Sequence, residues 1–234
     1  KVGGQPLDRA LRGRPVRERL EVFLQLLDAV AHAHRRLLVH RDLKPGNVLV
    51  ETDAAGRAQV KLLDFGIAKA LDPMEALPGE GVDEVAARTQ GGARPFTPHY
   101  ASPEQVRGEA VTTATDVYGL GVLLYQVLTG RRPVGQGAGT PQEVLRAVLD
   151  TVPPRASDAV APTVVPPGDA PASTDVDPRA DEVRRALRGD LDRVIAKALR
   201  KDPVERHASA EALGADLRAW LDGFPVSARE PSRR

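Results

Sequence analysis

The 234-residue sequence contains no cysteine, which excludes disulfides, thiolate metal sites and cysteine nucleophiles. Aromatic side chains are scarce, at 3%, so a core has to be built from leucine, valine and alanine. Neither sign of charge dominates: 33 Lys+Arg against 32 Asp+Glu leave +1. No global field draws nucleic acid or an anionic membrane, and charge-driven recognition must be local. Long hydrophobic runs are also missing. The longest, Val117 to Leu128, covers 12 positions and includes Gln126, too short to cross a bilayer. The chain starts at Lys1, without a Met and without the charged-then-apolar profile of a signal peptide. It reads as a piece of something longer.

What is present has a clear order. Residues 17–36 place Leu20, Phe23, Leu24, Leu27, Val30, Ala31 and His34 at spacings of three and four, which predicts an amphipathic helix. Val48–Val50 and Val60–Leu63 read as two strands around a turn containing Asp53 and Gly56. Residues 72–98 hold four Gly and four Pro without a sustained period, and predict a long loop. Further helices are expected over Thr115–Leu128 (apolar all round, hence buried), Pro141–Leu149, Asp190–Leu199 and Ser209–Leu221. Residues 151–178 contain seven Pro and one basic residue and read as a disordered, Pro-rich insertion. Residues 222–234 read as a linker.

The chemistry concentrates in His40-Arg41-Asp42-Leu43-Lys44-Pro45-Gly46-Asn47, with Asp64-Phe65-Gly66 following twenty-two positions after Asp42. A carboxylate and an amide five residues apart on one loop can divide two tasks. Asp42 can accept a hydroxyl proton, while Asn47 offers a hard oxygen to a metal. Asp64, at a neighbouring strand end, offers a second oxygen of the kind Mg²⁺ prefers. Lys44 can reach a transferring phosphate as a point charge. Singly, each triplet is most often surface charge or a turn. In this order, and flanked by strands, they point to one site.

These motifs resemble those of the protein kinase family, specifically its Ser/Thr branch and the eukaryotic-like kinases of bacteria. The likeness runs from Val2 to about Leu221 apart from the Pro-rich insertion. Thr97-Pro98-His99-Tyr100-Ala101-Ser102-Pro103-Glu104 resembles the end of the family's activation segment, with Ser102 where alanine is commoner. The resemblance implies Asp42, Lys44 and Asn47 as catalytic residues. It implies Lys44, Asn47, Leu49 (beneath adenine) and Asp64 as the ATP site, and Asn47 and Asp64 as Mg²⁺ ligands. It also assigns structural roles to His40 against Phe65, to Asp116 as holder of the catalytic-loop backbone, and to a Glu104–Arg206 pair. His34, on the preceding helix, also reads as structural, and Tyr100 and Trp220 read as packing residues. Arg41 before Asp42 accompanies activation by loop phosphorylation in the family. Thr97 matches its substrate-facing threonine, so Thr89 is the expected phosphate acceptor.

The implied fold is α+β and mainly helical, a kinase-like large lobe with a small β-hairpin sheet at the catalytic edge. Residues 1–16 form the segment after the hinge, 17–221 the lobe, and 222–234 the linker. No glycine-rich loop, strand lysine or paired helix glutamate precedes them, so a small lobe is an expected missing partner and this chain by itself is expected to be inactive. The expected function is ATP- and Mg²⁺-dependent phosphate transfer to protein Ser/Thr hydroxyls, in the cytoplasm, with any membrane anchor outside this segment. Two alternatives stand beside it: a non-catalytic binding or scaffold fragment, and a small-molecule phosphotransferase. Arg41, Lys44 and Ser102-Pro103-Glu104 argue against the latter.

Overall fold

The computed structural model describes residues 3–53, 55–64, 98–160 and 179–228. Its centre is two helices. In α2 (Val16–His34), Leu20, Phe23, Leu27 and Val30 recur at helical spacing and are fully buried. In α4 (Thr113–Thr129) nearly every residue is buried, as its all-round apolar sequence requires. A capping box from Thr112 opens α4. Its C-terminal carbonyls receive the buried Arg19 guanidinium, at 3.1 Å from the Val127 oxygen, a cation placed at the negative end of the helix.

Around this pair pack α8 (Asp190–Ala198) and α9 (Ala210–Leu221). Contact between α4 and α8 depends on Gly121, where a Cβ would stand 2.9 Å from that of Ala198. Shorter helices pack around these, among them α1 (Leu7–Leu11), α5 (Pro141–Asp150) and α7 (Ala180–Leu187). The sheet is small and antiparallel, in the order β1 (Gln5–Pro6), β2 (Val48–Thr52), β3 (Ala58–Leu62). Val48 pairs with Leu62 and Pro6 with Leu49. Asp53 closes the β2–β3 turn, its side chain accepting from the Ala55 and Arg57 backbone N–H groups. The mainly helical α+β reading of the sequence is borne out.

Two expectations are corrected. Residues 151–160, read as the start of a disordered stretch, are packed into the fold. They include α6 (Ala156–Ala159), with Ala156 and Val160 in the main core and Ser157 bonded to Asp192 through both N–H and hydroxyl, at 2.9 and 2.7 Å. Small residues between the prolines can pack against a neighbouring helix, which proline density conceals. Residues 222–228 fold back instead of leaving the domain. Val226 is buried, and Asp216 accepts from the Ser227 N–H and hydroxyl and from the Ala228 N–H. Residues 72–97 of the loop predicted over 72–98, and residues 161–178 and 229–234, lie outside the described residues. Among the described residues, no helix is long and apolar enough to cross a membrane.

Candidate active site

The loop between α2 and β2 carries the site, and one buried carboxylate holds it. Asp116, in the first turn of α4, accepts the His40 N–H at Oδ2 (2.8 Å) and the Arg41 N–H at Oδ1 (2.9 Å). The same Oδ2 accepts His34 Nε2 at 2.7 Å, reaching in from the end of α2. Arg41 is thereby kept at φ +66, a left-handed conformation that an arginine does not adopt unaided. Its carbonyl accepts Gln105 Nε2 at 2.8 Å. His40 is buried and its Nε2 lies 2.9 Å from the Leu63 carbonyl oxygen. Burial pushes the His40 imidazole below its usual pKa, against the opposing pull of the Leu63 carbonyl and the carboxylates of Asp116, Asp42 and Asp64. Its neutral form is therefore favoured.

Downstream, the loop brings three of the sequence-derived site residues together. Lys44 Nζ lies 2.8 Å from Asp42 Oδ2. Asn47 Nδ2 donates to the Asp42 carbonyl (2.8 Å) and to the same Oδ2 (3.1 Å). Pro45–Asn47 forms a short 3-10 turn that leads into β2, and the Leu63 N–H donates to the Asn47 carbonyl at 2.8 Å. That bond ties the end of β3, and with it Asp64, to the catalytic loop. Asp64 is exposed, at φ +49. Leu49 is half-buried on β2, opposite Pro6 on β1 and Lys61 on β3.

The donor set suits a hard cation. Asn47 engages its Nδ2 on Asp42, leaving Oδ1 without a hydrogen bond among the described residues, and Asp64 adds a carboxylate. Among the described residues no group of three His, Cys, Asp or Glu could form an all-protein metal cage. Mg²⁺ bound by one or two protein oxygens, with phosphate and water completing its shell, needs none.

Glu104 and Arg206 meet in the interior, at 2.7 Å (Nη1–Oε1) and 2.8 Å (Nη2–Oε2), with side chains 2% and 0% exposed. Burial alone would raise the Glu104 carboxyl, but hydrogen bonds and charge from Arg206, with the Thr115 hydroxyl, bring it below the usual carboxylate range. Glu104 lies in α3 (Pro103–Arg107), which Ser102 opens as N-cap of a capping box with Gln105. Serine where alanine is commoner thus has a local reason. Phe65, Thr89 and Thr97 lie outside the described residues.

Sequence reasoning missed Gln105, whose side chain serves both the α3 cap and the Arg41 carbonyl. The S-x-x-Q spacing was a readable signal for the cap, though not for the loop contact. His34, read as structural, shares the Asp116 carboxylate that anchors the loop.

A loop that holds a carboxylate, a lysine and an asparagine over a strand end, anchored from the central helix, defines a phosphotransferase-type lobe. Residues 4–217 match the protein kinase domain family, and the chain belongs to it. It is 35% identical over 210 residues to a probable serine/threonine-protein kinase of Streptomyces coelicolor, covering 89% of this chain and 25% of that protein. It is 32% identical over 209 residues to the serine/threonine-protein kinase PknB of Mycobacterium tuberculosis, covering 89% and 27%. The chain thus spans about a quarter of the length of these relatives. Among solved structures, the kinase domain of M. tuberculosis PknI superposes with a TM-score of 0.58 at 20% identity, covering 94% of this chain and 63% of that one. At that identity the likeness concerns the fold.

Proposed function

We propose that this chain is the large lobe of a bacterial Ser/Thr protein kinase that transfers the γ-phosphate of ATP to protein Ser/Thr hydroxyls. The observation that carries the reading is the Asp42–Lys44–Asn47 cluster on a loop held by Asp116. In this reading Asp42 orients the incoming hydroxyl and receives its proton as the new P–O bond forms and the bond to the ADP oxygen breaks. Lys44 places a positive charge next to Asp42, where charge develops on the transferring group. Asn47 Oδ1 and Asp64 would hold Mg²⁺, which would supply positive charge against the phosphates. Leu49 supplies the floor beneath adenine, and a small lobe completes the cleft above it.

Regulation follows from Arg41. Its guanidinium has no partner among the described residues, while Tyr100 and Ser102 are engaged with Gln126 and with the α3 cap. That supports Thr89 as the phosphate acceptor that Arg41 would pair with. Mass spectrometry of the active protein, with and without Thr89→Ala, tests this point. Unmodified Thr89 in fully active protein would sink it.

The main test is Mg²⁺-dependent transfer of radiolabelled phosphate from ATP to a serine/threonine peptide by the full gene product. Asp42→Asn should lower turnover by about 10²–10⁴-fold, with nucleotide affinity nearly unchanged. Wild-type turnover in that variant would overturn the reading. So would a wild-type protein that binds nucleotide without transferring phosphate, the result a scaffold would give.

A further inference from the structure

A cavity of about 360 Å³ opens between α8, the turn that follows it and the segment leading into α6. It shares no residue with the catalytic loop. Its lining includes the aliphatic Pro153, Ile195, Ala196 and Leu199 and the exposed Val152. The same lining holds three cations, Arg155, Arg200 and Lys201. Two carboxylates also line it, Asp192, which accepts from Ser157, and the exposed Glu205, so the three cations outnumber the anions by one. The volume lies within the ~300–1,000 Å³ of small-ligand sites, which combine apolar walls with a few polar groups.

Lys201 decides the chemistry. It is half-buried, and its Nζ donates to the Val148 carbonyl near the end of α5. It has no ion pair among the described residues. Burial pushes its ammonium down to about 8; the Asp150 carboxylate opposes this, while Arg107 and Arg206 add to it. Those two arginines already have carboxylate partners in Glu109 and Glu104. A half-buried cation with no carboxylate at ion-pair distance among the described residues is unfavourable, and an anion placed beside it removes that penalty. A cation alone would attract any hydrated anion, and an aliphatic wall alone any hydrophobe. Side by side they select a ligand with both characters.

We propose that this cavity binds an amphiphilic monoanion, an aliphatic carboxylate whose headgroup pairs with Lys201 and whose chain lies along Pro153, Ile195, Ala196 and Leu199. The proposal is independent of phosphate transfer, and its test does not read activity.

Calorimetric titration of the chain with decanoate, with decanol and acetate as probes of each half, is the experiment. Decanoate should bind, and each half-ligand should bind at least about tenfold more weakly. Lys201→Met removes the charge, and Ala196→Trp fills the cavity from an exposed position on α8, so it leaves the core intact. Each should weaken decanoate by about tenfold or more, whereas Lys201→Arg should keep most of the affinity. Thermal melts establish that the variants fold. Absence of decanoate binding, decanol binding as tightly as decanoate, or affinity unchanged in both weakening variants would overturn the proposal. Tighter binding of a peptide with an apolar C-terminal residue would also overturn it, by assigning the cavity to a protein partner.

Discussion

Two polar networks meet near the start of α4, and they differ in how completely they are engaged. In the Glu104–Arg206 clamp all five guanidinium N–H groups have acceptors: two oxygens of Glu104 and the carbonyls of Ala114, Arg200 and Lys201. Tyr118 lies beneath, its ring centroid 5.0 Å from the Arg206 guanidinium carbon. In the catalytic loop the backbone is equally well held, by Asp116 and Gln105. Yet the Arg41 guanidinium, the Asn47 Oδ1 and the Asp64 carboxylate have no hydrogen-bond or ion-pair partner among the described residues. A closed network stabilises one packing. A rigid loop with groups left over is prepared for ligands that bring their own charge.

The sharpest break of this comparison is a substitution that removes an open group without touching the fold. Asp64→Asn keeps a residue type that tolerates the left-handed backbone but removes the charge proposed to hold Mg²⁺. On the proposed reading, turnover of the full gene product should fall by about 100-fold or more, and urea unfolding should move by less than about 0.5 kcal/mol. A variant that keeps its activity would remove the proposed metal role, and one that unfolds would place Asp64 in a structural network.

The clamp should answer in the opposite way. Arg206→Met strands the Glu104 carboxylate in the interior and should cost about 3–5 kcal/mol of stability. Adding Glu104→Leu should recover much of that, because no uncompensated charge remains. Urea denaturation of the two singles and the double measures the coupling. An Arg206→Met variant as stable as the parent would remove the distinction between the two networks.

Acid should weaken both networks, though less sharply. Burial lowers the pKa of His40 at the loop and of His207, whose Nε2 bonds Asp216; it also lowers that of His99. Above the unfolded value near 6.5 these imidazoles are neutral in both states, and their contribution is fully present. As pH falls below that value the unfolded chain takes up protons that the folded chain resists, so stability declines toward the depressed folded values. Glu104, also depressed, adds a further loss below about 4.5. The melting temperature should therefore drop between pH 7.5 and 5.5 and drop again near pH 4. A flat profile from pH 7.5 to 5.5 would contradict the account.

The legible and illegible parts of the molecule divide along similar lines. The catalytic loop is contiguous, so its residue types and spacing carry their chemistry openly in the sequence. The same holds for α2 and α4, whose periodicity reports burial directly. The Gln105 contact with Arg41, the Arg19 contact with the end of α4 and the fold-back onto Asp216 join positions that are individually unremarkable. Nothing local marks Ser227 or Asp216 as partners. Around Ala156 the signal was misleading, because proline density reads as disorder even where small residues between the prolines are packed.

The smallest expected effect concerns how α2 hands over to the catalytic loop. After α2 the Leu38 N–H donates to the Ala33 carbonyl and the Leu37 N–H to the His34 carbonyl, the paired bonds of a Schellman cap. That cap requires a left-handed residue at its turn, and Leu37 occupies it at φ +60 with its side chain 92% exposed. The equivalent cap after α3 pairs Glu109 N–H with the Glu104 carbonyl and Gly108 N–H with the Gln105 carbonyl, and there the left-handed position is glycine, at φ +68. Leucine in this conformation costs about 1–2 kcal/mol, and glycine would give back about 0.5–1 kcal/mol of that through the freedom of its unfolded chain. Leu37→Gly should therefore stabilise by about 0.5–1 kcal/mol, a rise of about 1–3 °C in melting temperature. Leu37→Ala is the discriminating control: it removes the exposed side chain and keeps the strain, so its melting temperature should stay at the parent value. If alanine raised it as much as glycine, the exposed leucine and not the backbone would be the unfavourable element. The comparison between the Leu37 and Gly108 caps would then fail.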